Sequence, residues 1–303
     1  MPKVFCFNDK FMVFIVTLLI TFNVFPCDKT YENLQQMGFL EIENVDLLRR
    51  DYTGLYREYD NFIDLIDTDK EFFSALSRSE KEFVIDVDNC VRYCAAPPSY
   101  RNPNLHSKKI NNRIYFQYIK EHYDLIKQDY PDVLQKSGCF LNHLTLVDQI
   151  SKKYFATIIA SLESRCPGIT KIFYGNNKEL TVVTKIVRYQ KTQDWHEKPH
   201  FDKSGLTIIW DNDDNHQSLM LCKDTKNPTR AGLELPTRLF AESINSTSAL
   251  LIGGLCLKAL SYDIKPTLHY VGPIKNEYRH SVISFLLVPG IDTSAMQTEF
   301  IES

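Results

Sequence analysis

No CxxC pair, no stripe of basic residues, no low-complexity tract and no internal repeat occur along the 303 residues, and each gap rules out a class of protein. Without closely paired thiols, the eight cysteines give a structural zinc module little support. Cys90 and Cys94, four residues apart, read most simply as two buried small hydrophobes on one helix face. The 35 basic and 38 acidic residues are interspersed and leave a net charge of −3. Such a chain has no electrostatic footprint for a phosphate backbone, so no nucleic acid partner is expected. The 19 Phe and 16 Tyr are scattered, as core and pocket lining are, rather than gathered into a base-stacking platform. With no biased tract to force disorder, the length allows one sizeable core with helical additions, which is the default, or two small domains.

Residues 11–25 read FMVFIVTLLITFNVF, an apolar run preceded by Lys3 and Lys10. Spanning a bilayer takes about 20 apolar residues, so the run is short for a span. The residues around its end, Val24, Phe25, Pro26 and Cys27, lack the small-x-small pattern of a signal cleavage site. The expectation is that residues 1–27 form a signal or anchor, with membrane association through residues 11–25 and a membrane-associated or secretory location. A buried element of a cytoplasmic protein is the competing reading. The sequon Asn245-Ser246-Thr247 carries meaning only on the secretory route.

From residue 28 to about 165 the pattern is largely helical. Leu47, Leu48, Tyr52, Leu55, Tyr56 and Tyr59 recur at three- and four-residue spacing, which predicts an amphipathic helix. A second helix is predicted over 151–164, where Tyr154, Phe155, Ile158, Ile159 and Leu162 share a face. The segment 95–103, AAPPSYRNP, reads as a loop. From about residue 180 the rhythm changes to strand-length β-branched segments: TVVTKIVRYQ, LTIIWDN, SLMLC, ALLIGGLCL, TLHYVG and SVISFLLV. Helices followed by a run of strands predict an α+β chain. A mainly helical region over 28–168 would carry a jelly-roll domain over 169–303.

His200-Phe201-Asp202 places two metal-ligand types at i and i+2, which leave the same face of a strand. His269, in the predicted strand 267–271, is the distant third candidate. Two imidazoles and one carboxylate leave open positions on an ion, the set associated with iron(II) oxygenases. Arg279 and Ser281 again stand at i and i+2, and a guanidinium fork beside a hydroxyl suits the far carboxylate of a dicarboxylate such as 2-oxoglutarate.

On these residues the sequence resembles the isopenicillin-N-synthase-like 2-oxoglutarate/iron(II) dioxygenases, over most of residues 37–289. HFDKSGLTIIWDND is similar to the family segment in which HxD is followed by Gly and a Leu-Thr strand. LIGGLCLKALSYDIKPTLHYV resembles the approach to the distal histidine, and YRHSVISFLLVP carries the Arg-x-Ser. MGFLEIENV and FFSALSRSEKEF resemble the family's N-terminal strand and helix. The resemblance implies a double-stranded β-helix with His200, Asp202 and His269 as iron(II) ligands. It implies Arg279, Ser281 and Tyr189 as holders of 2-oxoglutarate, O2 as oxidant and a small-molecule metabolite as substrate. Gly254 and Tyr270 depart from the family's usual Asp and Arg.

Two other readings compete. His196-Glu197-Lys198-Pro199-His200 matches the HExxH zinc-peptidase pattern, which works only on a helix. Pro199 would break that helix at a cost of roughly 3 kcal/mol, and the pattern leaves Asp202, His269, Arg279 and Ser281 idle. A non-catalytic, ligand-binding barrel is the other alternative, against which the complete set of candidate ligands stands. His280 points to the opposite strand face from Arg279 and reads as structural.

Overall fold

The strand rhythm of the C-terminal half becomes two antiparallel sheets in the computed structural model, which describes residues 27–42, 46–86, 113–191, 197–212, 218–222 and 249–291. The apolar run 11–25, Cys90 and Cys94, the segment 95–103, His196 and the sequon at 245–247 lie outside these residues. The described helices are α1 (Cys27–Gln36), α2 (Asp46–Thr68), α3 (Lys70–Asp86), α4 (Lys120–Asp129), α5 (Pro131–Leu162), α6 (Ile169–Tyr174) and α7 (Leu255–Ala259). The strands are β1 (Phe39–Ile42), β2 (Arg113–Tyr118), β3 (Val182–Gln190), β4 (Glu197–His200) and β5 (Leu206–Asn212). They continue as β6 (Leu219–Cys222), β7 (Ala249–Gly253), β8 (Leu268–Val271) and β9 (Tyr278–Leu286).

The larger sheet has the order β1-β7-β5-β9-β3-β2 and the smaller one β4-β8-β6. Leu219 and Leu221 of the small sheet pack with Ile209, Leu250 and Ile252 of the large one, so the sheets face each other. A two-residue period then divides each long strand. On one side of the large sheet, Ile186, Ile208, Trp210, Val282 and Leu286 join the core built with α2, α3 and α5. On the other side, Lys185, Tyr189, Thr207, Ile209, Arg279, Ser281, Ile283 and Phe285 line a cavity between the sheets.

Helix α5 is the backbone of the helical half. Its apolar positions, among them Phe140, Leu144, Val147, Phe155, Ile158 and Leu162, recur at three and four residues and are buried. Pro131 opens it, in the first turn where a missing N–H costs nothing. A polar rivet joins it to the sheet: Trp210 Nε1–H donates to both Ser151 Oγ, 3.0 Å, and Ser284 Oγ, 2.9 Å. The two hydroxyls are 2.7 Å apart, with Thr184 completing the group.

Several expectations need correcting. The helix expected at 151–164 is only the end of a 32-residue helix. The strand expected over 249–257 stops at Gly253, and its second half is the short helix α7. The N-terminal half gives two strands to the large sheet: β1, the strand expected in MGFLEIENV, and β2, which the helical rhythm did not suggest. The membrane-associated or secretory location is corrected as well: among the described residues no helix is long and apolar enough to cross a membrane.

Candidate metal centre

His200 ends β4 and stands directly opposite His269 of β8 in the antiparallel register. Opposite partners in a ladder project from the same face, and the two imidazole rings lie 4.4 Å apart between centroids. Asp202 follows two residues later, just past the strand rather than within it. Its Oδ1 is 3.8 Å from His200 Nε2 and 3.7 Å from His269 Nε2. One donor atom from each of the three falls within 4.8 Å of the others. This is the group brought together from HxD and the distal histidine.

Neighbouring groups orient these atoms. The His269 Nδ1–H donates to the Thr267 carbonyl, 3.0 Å away, which leaves Nε2 as the basic nitrogen facing Asp202. The Thr207 hydroxyl donates to Asp202 Oδ2 at 2.6 Å and lies 2.8 Å from Ser204 Oγ. One carboxylate oxygen is thereby held by Thr207 while the other faces both imidazoles. The loop itself is clamped from β7 and α7: Gly254 N–H donates to the Gly205 carbonyl, 2.9 Å, and Leu255 N–H to the Asp202 carbonyl, 2.8 Å. At the far side, Thr267 Oγ1 donates to the Gly38 carbonyl at 2.6 Å, tying the start of β8 to β1. Two imidazole nitrogens and a carboxylate oxygen, pre-oriented and converging, fit a divalent transition ion.

Arg279, 1 % exposed, lies on the same cavity wall. It pairs across the ladder with Tyr189, and its guanidinium carbon sits 5.1 Å from the tyrosine ring centroid. Ser281 is two residues further along β9 and also lines the cavity. His280 faces the other way, donating to Asp60 at 3.0 Å and stacking on Tyr56 at 4.8 Å, so it belongs to the contact with α2. Burial alone would raise the Asp60 carboxyl, yet hydrogen bonds from His280 and Arg188 hold it below its usual range. The stretch Glu197–His200 is a strand, which removes the helix that an HExxH site requires.

Sequence reasoning missed two polar residues of this cavity, Thr207 and Lys185. The signal for Lys185 was present: it stands four residues before Tyr189 in a strand and so shares its face. Burial, with the Arg113 guanidinium close by, pulls the Lys185 ammonium down to about 7 against the opposing pull of Asp202.

No family model and no curated protein matches the sequence. The fold, by contrast, is shared with solved structures of low sequence identity, which agrees with the fold that the resemblance implies. A full-length Neurospora crassa protein, solved in complex with alpha-KG (2-oxoglutarate), is 13% identical, matches over 91% of this chain and 82% of its own, and gives a TM-score of 0.56. A Shewanella oneidensis protein assigned as an oxygenase is 15% identical over 90% of both chains, with a TM-score of 0.51.

Proposed function

We propose that the chain is a non-haem iron(II), 2-oxoglutarate-dependent dioxygenase that oxidises a small-molecule metabolite, built on a double-stranded β-helix. The observation that carries this reading is that the His200, Asp202 and His269 cluster and the buried Arg279 open into one cavity between the two sheets. The fold shared with the alpha-KG-bound Neurospora protein supports it. Residues 169–303 supply every residue of the site, and residues 28–168 supply the helical support and two strands.

In this reading His200 Nε2, Asp202 Oδ1 and His269 Nε2 hold the ion, and Arg279, Ser281 and Tyr189 hold the cosubstrate. Bound iron(II) supplies the dioxygen chemistry that no amino-acid side chain offers. The chain does the rest. The Arg279 fork presents two parallel donors to a carboxylate, a match of shape as well as charge. Its stack on Tyr189 fixes the plane of that fork, and Ser281 offers a hydroxyl beside it. Ile209, Leu219, Val271 and Ile283 keep the remaining wall apolar, which limits water around the reacting groups.

Anaerobic titration with iron(II) and then 2-oxoglutarate tests the reading. A weak visible charge-transfer band is expected, followed by succinate formation when oxygen is admitted. His200→Ala and Asp202→Ala should lose both signals, and a full band in either variant would sink the ligand assignment. Arg279→Lys keeps the charge but not the fork, so 2-oxoglutarate affinity should drop about tenfold to a hundredfold, the range for one lost charge-assisted contact. Unchanged affinity in that variant would mean the carboxylate is held elsewhere.

A further inference from the structure

Tyr189 and Arg279 face each other near the end of a ladder. Strand β3 stops at Gln190 and β9 starts at Tyr278, so theirs is the last pair but one. Strand ends are where a sheet opens most readily, yet here the proposed cosubstrate grip has to keep its direction. One residue inward stands the pair Arg188 and His280, which faces α2 rather than the cavity.

A single carboxylate oxygen joins that second pair from outside the sheet. Asp60 Oδ1, on α2, accepts from Arg188 Nη1 at 2.9 Å and from His280 Nε2 at 3.0 Å. Rings brace both ends of the bridge. Tyr56, one turn earlier on α2, stacks on the His280 ring at 4.8 Å between centroids. The Arg188 guanidinium carbon lies 4.9 Å from the ring centroid of Tyr278, the residue before Arg279. The lowered Asp60 carboxyl agrees with a firm bridge, since the two hydrogen bonds outweigh the burial that opposes its charge. Helix α2 thus ties β3 to β9 at the level of the grip. Because the peptide unit is planar and rigid, the places of Arg188 and His280 constrain where the side chains of Tyr189 and Arg279 begin. The tie reaches the cavity through the backbone, by adjacency rather than by facing it.

We propose that Asp60 is a positioning residue for the cosubstrate: by joining Arg188 and His280 across β3 and β9, it sets the spacing and tilt of the neighbouring Tyr189–Arg279 pair and so aims the guanidinium fork at the far carboxylate of 2-oxoglutarate. The proposal rests on the dioxygenase reading above and deepens it. It gives the helical half of the chain a part in cosubstrate binding, through a residue that never touches the ligand.

The test uses the full chain, anaerobic and saturated with manganese(II), titrated calorimetrically with 2-oxoglutarate and with oxalate, which can chelate the ion but has no far carboxylate. Asp60→Asn keeps the size of the side chain and removes its charge. It should weaken 2-oxoglutarate binding about threefold to tenfold, a part of what one charge-assisted contact is worth, and leave manganese and oxalate affinities as in the parent. Arg188→Met cuts the bridge at its other end and should do the same; if one variant does not fold by near-UV circular dichroism, the other decides. In an Arg279→Lys background, Asp60→Asn should add no further loss, because residues acting through one contact are not additive. Ser284→Ala removes a helix-to-sheet tie farther along β9 and should leave all three affinities unchanged. Parent-like 2-oxoglutarate affinity in a folded Asp60→Asn or Arg188→Met overturns the proposal. Equal losses for 2-oxoglutarate and oxalate, or a loss that persists in full beside Arg279→Lys, overturn it too, by leaving Asp60 a merely structural role. A parent chain that binds manganese but no 2-oxoglutarate brings down the underlying dioxygenase reading instead, and this is seen before any variant is made.

Discussion

A methyl group built on Gly254 would lie 2.0 Å from the Ser204 carbonyl oxygen, deep inside van der Waals contact with a backbone atom. In the family that the sequence resembles, an Asp is usual at this position. The packing explains the glycine: the backbone of β7 and α7 closes directly onto the loop that carries Asp202, and no side chain fits between them. Gly254→Ala is therefore expected to cost about 1–3 kcal/mol in urea unfolding, the range for overpacking a tight contact. It should also weaken metal binding, because the displaced loop holds a candidate ligand. Unaltered stability and metal affinity would show that the loop yields without consequence. The other residues of the cavity differ in how far the sequence exposed them. Arg279 and Ser281 could be read because they stand two residues apart within one strand, and His200 and Asp202 from the same spacing, although Asp202 lies just past the end of β4 and is set by the loop that follows. Thr207 could not, since its role depends on the path of the chain between Asp202 and β5, which no local pattern encodes.

Among the elements, the long strands β3, β5 and β9 were legible from their β-branched runs, and α5 was not. Its last turns have a clean apolar stripe, whereas its first half contains Gly138 and a polar stretch that reads as a break. Tertiary packing overrides that local weakness: Val133, Phe140, Leu141 and Leu144 are all buried against the helical core. Strand β2 was hidden inside a region of helical rhythm, and only pairing with β3 over its full length defines it. What joins α5 to the sheet is also invisible in sequence, because Ser151, Trp210 and Ser284 meet only after folding. Ser284→Ala takes one acceptor from Trp210 and the partner from Ser151 in a buried setting. A loss of about 1–3 kcal/mol is expected, the cost of leaving buried polar groups poorly satisfied. Metal and 2-oxoglutarate affinities should not change, since Ser284 faces away from the cavity. A metal-binding defect in a folded Ser284→Ala protein would contradict this division of the strand.

The stability of the chain as a unit should depend on acid through the α3–α4 contact. Burial pulls His122 down to about 4 from an ordinary 6.5, and its Nε2 lies 3.1 Å from the Ser79 hydroxyl. A histidine that stays neutral when folded and protonates when unfolded leaves stability untouched above pH 6.5 and erodes it as the pH falls from there towards 4. Between about pH 7.5 and about pH 5 this one group should remove about 2 kcal/mol from the unfolding free energy. His122→Asn, less stable at neutral pH, should show a correspondingly shallower pH dependence in parallel urea titrations, and equal slopes would count against the assignment. The two-sided strands have a further consequence, for how such a molecule can change. On β3, β5 and β9 the cavity is lined by odd-numbered residues such as Lys185, Ile209 and Ile283, and the helix-facing core by even-numbered ones such as Ile186, Ile208 and Val282. Ligand preference and foldedness are thus written on interleaved, separate sets of positions. Variation can accumulate on the first set while the second stays fixed, so a lineage or an engineer can retune what the pocket accepts without first redesigning the scaffold that holds it.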